Sequence, residues 1–530
     1  MIPETEWKFF EATEQRAKHL SHHVQEQLLA LWEGKAPPYE AEDLAGKRAR
    51  LIQEMEYPER IEKALASEPT DSQARHLSLH QRFVLATVFD THPEIVPLME
   101  TLQGMYARFQ PTVNDKPATW GEIQTLVASH EDRDVREAAW CAGAPLAQAA
   151  QEPLSELFRC REALARAVLE SGYPHVAYFL QDHERTEVIS DLDTFERTMR
   201  EDYRATKKTV RQATGEHDVE PWDFVYGIRS GNPIPDSAFP AEALVDAMQV
   251  QARRWGFEPT NLGIRVQAYE GPARLVALEV PKNLVVLVSN HGGWQAYADA
   301  FRVFGSALYY ASARSKRHFL EHECLAVAQS LGVLFASVLE NREWLSEHTG
   351  APAGQIGAAV RARKAERLVQ LKLAHSHHAF ENIIYAHGDT DANKLYCDIY
   401  EQGMEVSRKP EPLWAADPNF AFAPFAWSER VLAALAGHQI RKTLTSSFGE
   451  DAWKSPQVAE WFTEHFFQSG ALLPWRKKIE QATGSEIELD ALREDLGTAE
   501  FLGPGLEESE GISDEEVAEY FEGIDLSDIE

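Results

Sequence analysis

Val280-Pro281-Lys282-Asn283-Leu284-Val285-Val286-Leu287-Val288-Ser289-Asn290-His291-Gly292-Gly293-Trp294, running on to Phe301-Arg302-Val303-Phe304-Gly305-Ser306-Ala307-Leu308, is the stretch of this 530-residue chain on which the fold turns. Its first half is a short Val/Leu run closed by Asn-His-Gly-Gly, the pattern of a buried strand. Two similar runs precede it, Gly263 to Tyr269 and Arg274 to Val280, set off by Gly-Pro and Pro-Lys. Helical periodicity resumes at Trp294 and lasts to about Leu496. The chain therefore reads as mainly α, with one small sheet at about residues 262–290 placed directly before a long apolar helix.

Working outward, the N-terminal half is helix after helix. Ala12 to Trp32, Leu44 to Glu56, Ala74 to Asp90 and Pro93 to Arg108 carry apolar residues at three- and four-residue spacing. Thr119-Trp120-Gly121-Glu122 has the form of a capping box. Asp132 to Ala150, Glu152 to Gly172 and Asp191 to Thr214 follow, with breaks at Pro37-Pro38, Pro111 and Gly172-Tyr173-Pro174. Gly503-Pro504-Gly505 ends the pattern. The expected organisation is a helical lobe over 1–190, a second lobe over 191–503, and an acidic tail over 504–530, expected to be disordered.

The net charge is -32, and no Lys or Arg follows Arg493. The body is thus only moderately acidic, and no clustered basic face suits a phosphate backbone, so nucleic acid is not an expected partner. The densest basic run, Arg361 to Lys372, reads as the solvated side of a helix. In the tail, Val517, Tyr520, Phe521 and Ile524 form an apolar set among acids, suited to a partner with a basic rim. Cys141, Cys160, Cys324 and Cys397 are widely spaced, which fits a reducing cytoplasm. No signal peptide and no membrane span are expected.

Several segments, in order, resemble the thimet oligopeptidase and oligoendopeptidase F family of zinc metallopeptidases. Leu154 to Arg166 with Gly172-Tyr173 is similar to a family helix. Val280 to Val288 with Gly292-Gly293 is similar to its strand and Gly-Gly loop. Phe301 to Leu308 lies where the family has F-H-E-x-G-H-A-x, and Leu334-Phe335 through Glu343-Trp344-Leu345 resembles the helix of its third ligand. Phe380 to Tyr385, Asp417 to Phe420 and Phe448 to Trp453 continue the order. The resemblance implies a gluzincin fold, two lobes around a cleft, with the sheet on the cleft rim.

The family's metal helix works because residues i and i+4 share one face, so two imidazoles reach one zinc, while the adjacent glutamate acts as base. On this resemblance those positions hold Arg302, Val303 and Ser306, and the third ligand falls on Gln329. A guanidinium has no lone pair to give and repels a dication. The family's assisting tyrosine hydroxyls fall on Ala421 and Phe425. The flanking Phe301, Gly305, Ala307 and Leu308 retain the small and apolar positions of the helix. The expectation is a catalytically inactive pseudo-peptidase without zinc or another cofactor. Such a protein binds a peptide or protein partner through Arg302, Gln329 and the Gly292-Gly293 loop, or serves as an interaction subunit. The alternative is an active metallohydrolase with a relocated metal.

Three histidine groupings compete for notice. His318-Phe319-Leu320-Glu321-His322 spells the inverted zinc motif and reads as chance among 20 histidines. His76 with His80, and His375, His377 and His378, read as solvent-exposed, since no partner carboxylate is implied for either.

Overall fold

The computed structural model describes residues 2–497 apart from 316, 322, 388, 389 and 407–410. The apolar set of the acidic tail lies outside the described residues, as does His322. The architecture is mainly α, as the periodicity predicts, with the expected three-stranded sheet and a second, two-stranded one pairing Thr112–Val113 with Lys116–Pro117, which the sequence reading did not foresee. The elements that position the site are α1 (Glu4–Trp32), α2 (Asp71–Asp90), α3 (Ala144–Leu169), α4 (Arg185–Thr214), β1 (Ile264–Tyr269), β2 (Arg274–Glu279), β3 (Asn283–Ser289), α5 (Trp294–Ala311), α6 (Leu325–Ala336), α7 (Ala353–Ala386) and α8 (Ala426–Phe448).

The three strands lie within a residue or so of their predicted bounds. β3 is central, parallel to β1 and antiparallel to β2, with Val286 opposite both Val266 and Leu275. Its unbroken apolar run follows from burial on both faces. Leu284, Val286 and Val288 join the main core, while Val285 and Leu287 join Val276 and Leu278 beneath Leu29 and Trp32 of α1. The predicted capping box at Thr119 is present, with the Glu122 carboxylate accepting from the Thr119 backbone N–H at 2.7 Å.

Two sequence expectations need correction. The break foreseen near residue 151 falls instead at Cys141–Gly143, and α3 runs unbroken through Pro153. Pro153 costs the helix about 3 kcal/mol. Burying Leu146, Leu154, Leu157 and Phe158 along one continuous face more than offsets that, at about 1.5–3 kcal/mol each. The Arg361 to Lys372 run is not a solvated face either. Arg363 and Lys372 are buried, Arg367 meets Glu340 at 2.8 Å, and Lys372 meets Glu196 at 2.5 Å. The partners that draw these cations inward, Glu196, Glu340 and Asp495, are remote in sequence.

The 318–340 stretch is apolar enough to cross a membrane by composition. It is broken into the His318–Glu321 turn, α6 and the 3-10 turn Ser337–Glu340, and is mostly buried among other helices.

Candidate functional site

α5 is buried on nearly every side and crosses α6 at backbone contact. A Cβ at Gly332 would stand 2.4 Å from the Arg302 carbonyl oxygen and 2.7 Å from Ser306 Oγ. A Cβ at Gly305 would stand 2.7 Å from both the Leu331 oxygen and Phe335 Cβ. The two glycines therefore let α5 and α6 touch beside Arg302 and Ser306. Ser306 is buried, and its hydroxyl donates back to the Arg302 carbonyl at 3.3 Å. Val303 is buried in the core, and Gln329 is half-buried on α6.

Arg302 has charged neighbours that were not foreseen. Its guanidinium lies 4.0 Å from Asp299, one turn away. Arg430, on the first turn of α8, stacks over Trp427 at 4.2 Å. Arg430 meets solvent, yet its pKa is pulled down to about 10, by desolvation first and then by the charge of Arg302. Asp417 faces it from the preceding loop. Burial pushes that carboxyl up, while the Asn419 N–H at 2.9 Å and the charges of Arg430 and Arg274 oppose the rise. Arg430 is thus within electrostatic range of Arg302, Asp299 and Asp417, and Arg274 within range of Asp417. Sequence reading missed Arg430 because nothing local marks it; its meaning comes from facing α5.

The remaining expected site residues are engaged in contacts within the fold. Ala421 and Phe425 are fully buried. The Ala421 carbonyl accepts from Arg161 at 2.6 Å, and the Phe425 N–H donates to Glu381 at 2.9 Å. The close approach at Gly292 and Gly293 is to the chain's own 236–241 turn. A Cβ at Gly292 would stand 2.5 Å from the Phe239 oxygen, and Gly293, at φ +103, donates to that oxygen at 2.7 Å. A separate hollow of about 480 Å³, lined by Phe158, Arg159, Glu162, Tyr385 and Asp391 among others, does not include Arg302.

The donors at Arg302, Ser306 and Gln329 do not fit a zinc ion. A guanidinium is a fixed cation, the hydroxyl is committed to a carbonyl, and an amide is a weak neutral ligand.

Histidines expected on the surface are instead interior, which corrects that reading. His76 and His80 are buried, as are His377 and His378. Burial pushes His377 and His378 down to about 3. His183, Cys324 and Glu429 form a further buried group. There Trp475 Nε1 donates to His183 Nδ1 at 3.2 Å, which leaves Nε2–H to donate to Glu429 at 2.5 Å. That group satisfies itself by hydrogen bonds.

By sequence the chain matches no protein-family model and no curated protein. By structure it is similar to PZ peptidase A, at 14% identity and TM-score 0.66, with 86% of each chain covered. It is similar to a Bacillus anthracis chain assigned as an oligoendopeptidase F, at 12% identity and TM-score 0.64, covering 91% of this chain and 84% of that one. An M32 carboxypeptidase from Deinococcus radiodurans R1 matches at 14% identity and TM-score 0.59, covering 93% and 99%. The chain has a metallopeptidase fold. Identities this low speak to the fold alone.

Proposed function

We propose that this chain is a metallopeptidase-fold protein that binds a peptide, or a segment of a protein partner, without cleaving it. The observation that carries the reading is the pair of cations, Arg302 on α5 with Arg430 of α8 within its electrostatic range, Arg302 standing at the position that the sequence resemblance gives to a metal ligand. Two neighbouring guanidiniums are suited to a carboxylate, which each can grip by paired N–H donors. Asp299 and Asp417 would orient the guanidiniums and set a limit on how much negative charge enters. The ligand class is therefore a peptide with a free C-terminal carboxylate or an acidic side chain, held at its charged end.

The test compares fluorescent peptides bearing a free or an amidated C-terminus on the full chain. Free-acid peptides are expected to bind at least about tenfold more tightly, since a hydrogen bond to a charged group contributes about 1.5–3 kcal/mol. Arg302→Ala should erase that preference, and a chain ending at Gly503 should keep it. Chelator-sensitive cleavage of a quenched peptide would overturn the reading, as would equal affinity for acid and amide. Metal content alone does not test it, for the reason given next.

A further inference from the structure

The N-terminal layer of the fold contains a histidine pair that the cleft does not use. His76 and His80 occupy successive turns of α2, at the i, i+4 spacing that places two imidazoles on one face. Glu14 of α1 faces them. All three side chains are buried, at 3%, 0% and 1% exposure. Their ligand atoms lie within 4.8 Å of one another. His76 Nε2 and His80 Nε2 have no hydrogen-bond partner. Two imidazole nitrogens without a hydrogen bond in a closed interior, one of them in contact with a carboxylate, are costly unless something satisfies them.

We infer that Glu14, His76 and His80 form a structural site for a divalent transition metal of the zinc type, pinning α1 to α2. A tetrahedral zinc with N and O ligands at about 2.1 Å holds them about 3.4 Å apart. Glu14 Oε2 and His76 Nε2 are already 3.3 Å apart. The outer contacts suit the same role. Tyr57 Oη stands 2.5 Å from His80 Nδ1, so an Nδ1–H donated to it leaves Nε2 free to ligate. Glu14 Oε1 accepts from the Phe319 backbone N–H at 2.6 Å, which fixes the carboxylate. Trp7, Phe10 and Phe319 wall the imidazoles at ring distances of 5.4, 5.3 and 4.8 Å. The donor set is nitrogen and oxygen without sulfur, which favours zinc-class ions over soft ones. Arg317 is the nearby cation that acts on His80; it is held by Glu11 and lies over Trp7. Three protein ligands leave one tetrahedral position to a water, and the burial of all three side chains keeps a substrate from it, which makes the role structural rather than hydrolytic.

The experiment strips full-length protein with a chelator, reloads it with zinc or cobalt, and counts metal after dialysis. One equivalent per chain is expected, with a cobalt spectrum showing d–d absorption and no thiolate charge-transfer band. Glu14→Gln keeps the side-chain shape and should weaken retention at least tenfold, whereas Cys324→Ser should retain the full equivalent. Wild-type protein that retains no metal overturns the inference without reliance on any variant. So does a thiolate band that disappears in Cys324→Ser, which would place the ion at His183, and so does full retention by Glu14→Gln.

Discussion

At the scale of single residues, the chemistry is set by charges and imidazoles removed from water. The charge of Arg302 acts unfavourably on Arg430, so removing it should favour the folded state. Arg302→Gln is expected to raise the unfolding free energy by a few tenths to about 1 kcal/mol while weakening carboxylate binding, read by paired denaturation and binding titrations. The buried histidines give a pH signature. His377 and His378 are held down to about 3 and His438 to about 4, each by burial first, while an unfolded chain takes up those protons near its ordinary value of about 6.5. Depressed folded values mean that stability is intact above about 6.5 and declines as pH falls toward about 4. Glu381 runs the other way. Burial lifts it to about 8, so its contribution is full below about 4.5 and fades as pH rises through about 8. Glu381→Gln should therefore remove the decline in melting temperature that Glu381 contributes between about pH 4.5 and about pH 8, and an unchanged profile across that window would count against this assignment. The histidine placement was legible in part. His76, His80, Phe83 and Thr87 recur at four, three and four residues, one helical face, yet only the fold reveals Glu14 opposite.

At the scale of elements, the most constrained contact is the crossing of α5 and α6. Gly332→Ala drives a methyl to 2.4 Å from the Arg302 carbonyl, a backbone atom of a buried helix that has little room to shift. The expected cost is about 1–3 kcal/mol or somewhat more. It should appear as a lowered urea midpoint with an unchanged slope, together with weaker peptide binding because the shift is felt at Arg302. Gly437→Ala tests the next interface. Its Cβ would stand 3.0 Å from the Ser330 oxygen and from Val333, a looser fit that predicts a smaller loss. These elements were the most legible part of the chain. The strands of the sheet and the helix after it declare themselves through β-branched runs and apolar periodicity, which are local. What local pattern could not give was the burial of Arg363, Arg367 and Lys372. Asp495 follows them by more than a hundred residues, and Glu196 precedes them by more than a hundred and fifty. The pairing of Arg430 with Arg302 was hidden for the same reason.

At the scale of the whole molecule, stability is unevenly distributed. One continuous core unites residues from Leu85 to Leu496 and encloses α5, α6 and α8. While Leu85 and Phe89 tie the second half of α2 to the main core, α1 and the first half of α2 rest instead on small separate clusters. Ile2, Phe10, Ile52, Tyr57, Ile61 and Leu77 form one, and Ala17, Leu51 and Leu79 meet Phe319 and Ala471 in another. Polar ties supplement them: Arg75 and Arg82 both clasp Asp182, and Arg317 clasps Glu11. A layer held by satellite clusters and a few ion pairs opens at lower free energy than one embedded in the main core. Native-state hydrogen exchange should therefore show Glu4–Trp32 exchanging first, Trp294–Ala311 last, and the sheet between them, since β2 and β3 are capped by Leu29 and Trp32. Zinc reloading should slow exchange selectively in Glu4–Trp32 and Asp71–Asp90, because an ion bridging Glu14 to His76 and His80 stabilises the closed layer by mass action and leaves the main core untouched. Uniform slowing across the chain would instead mean that the layer and the core open together, and that the N-terminal helices are as integral to the peptidase fold as the helix that carries Arg302.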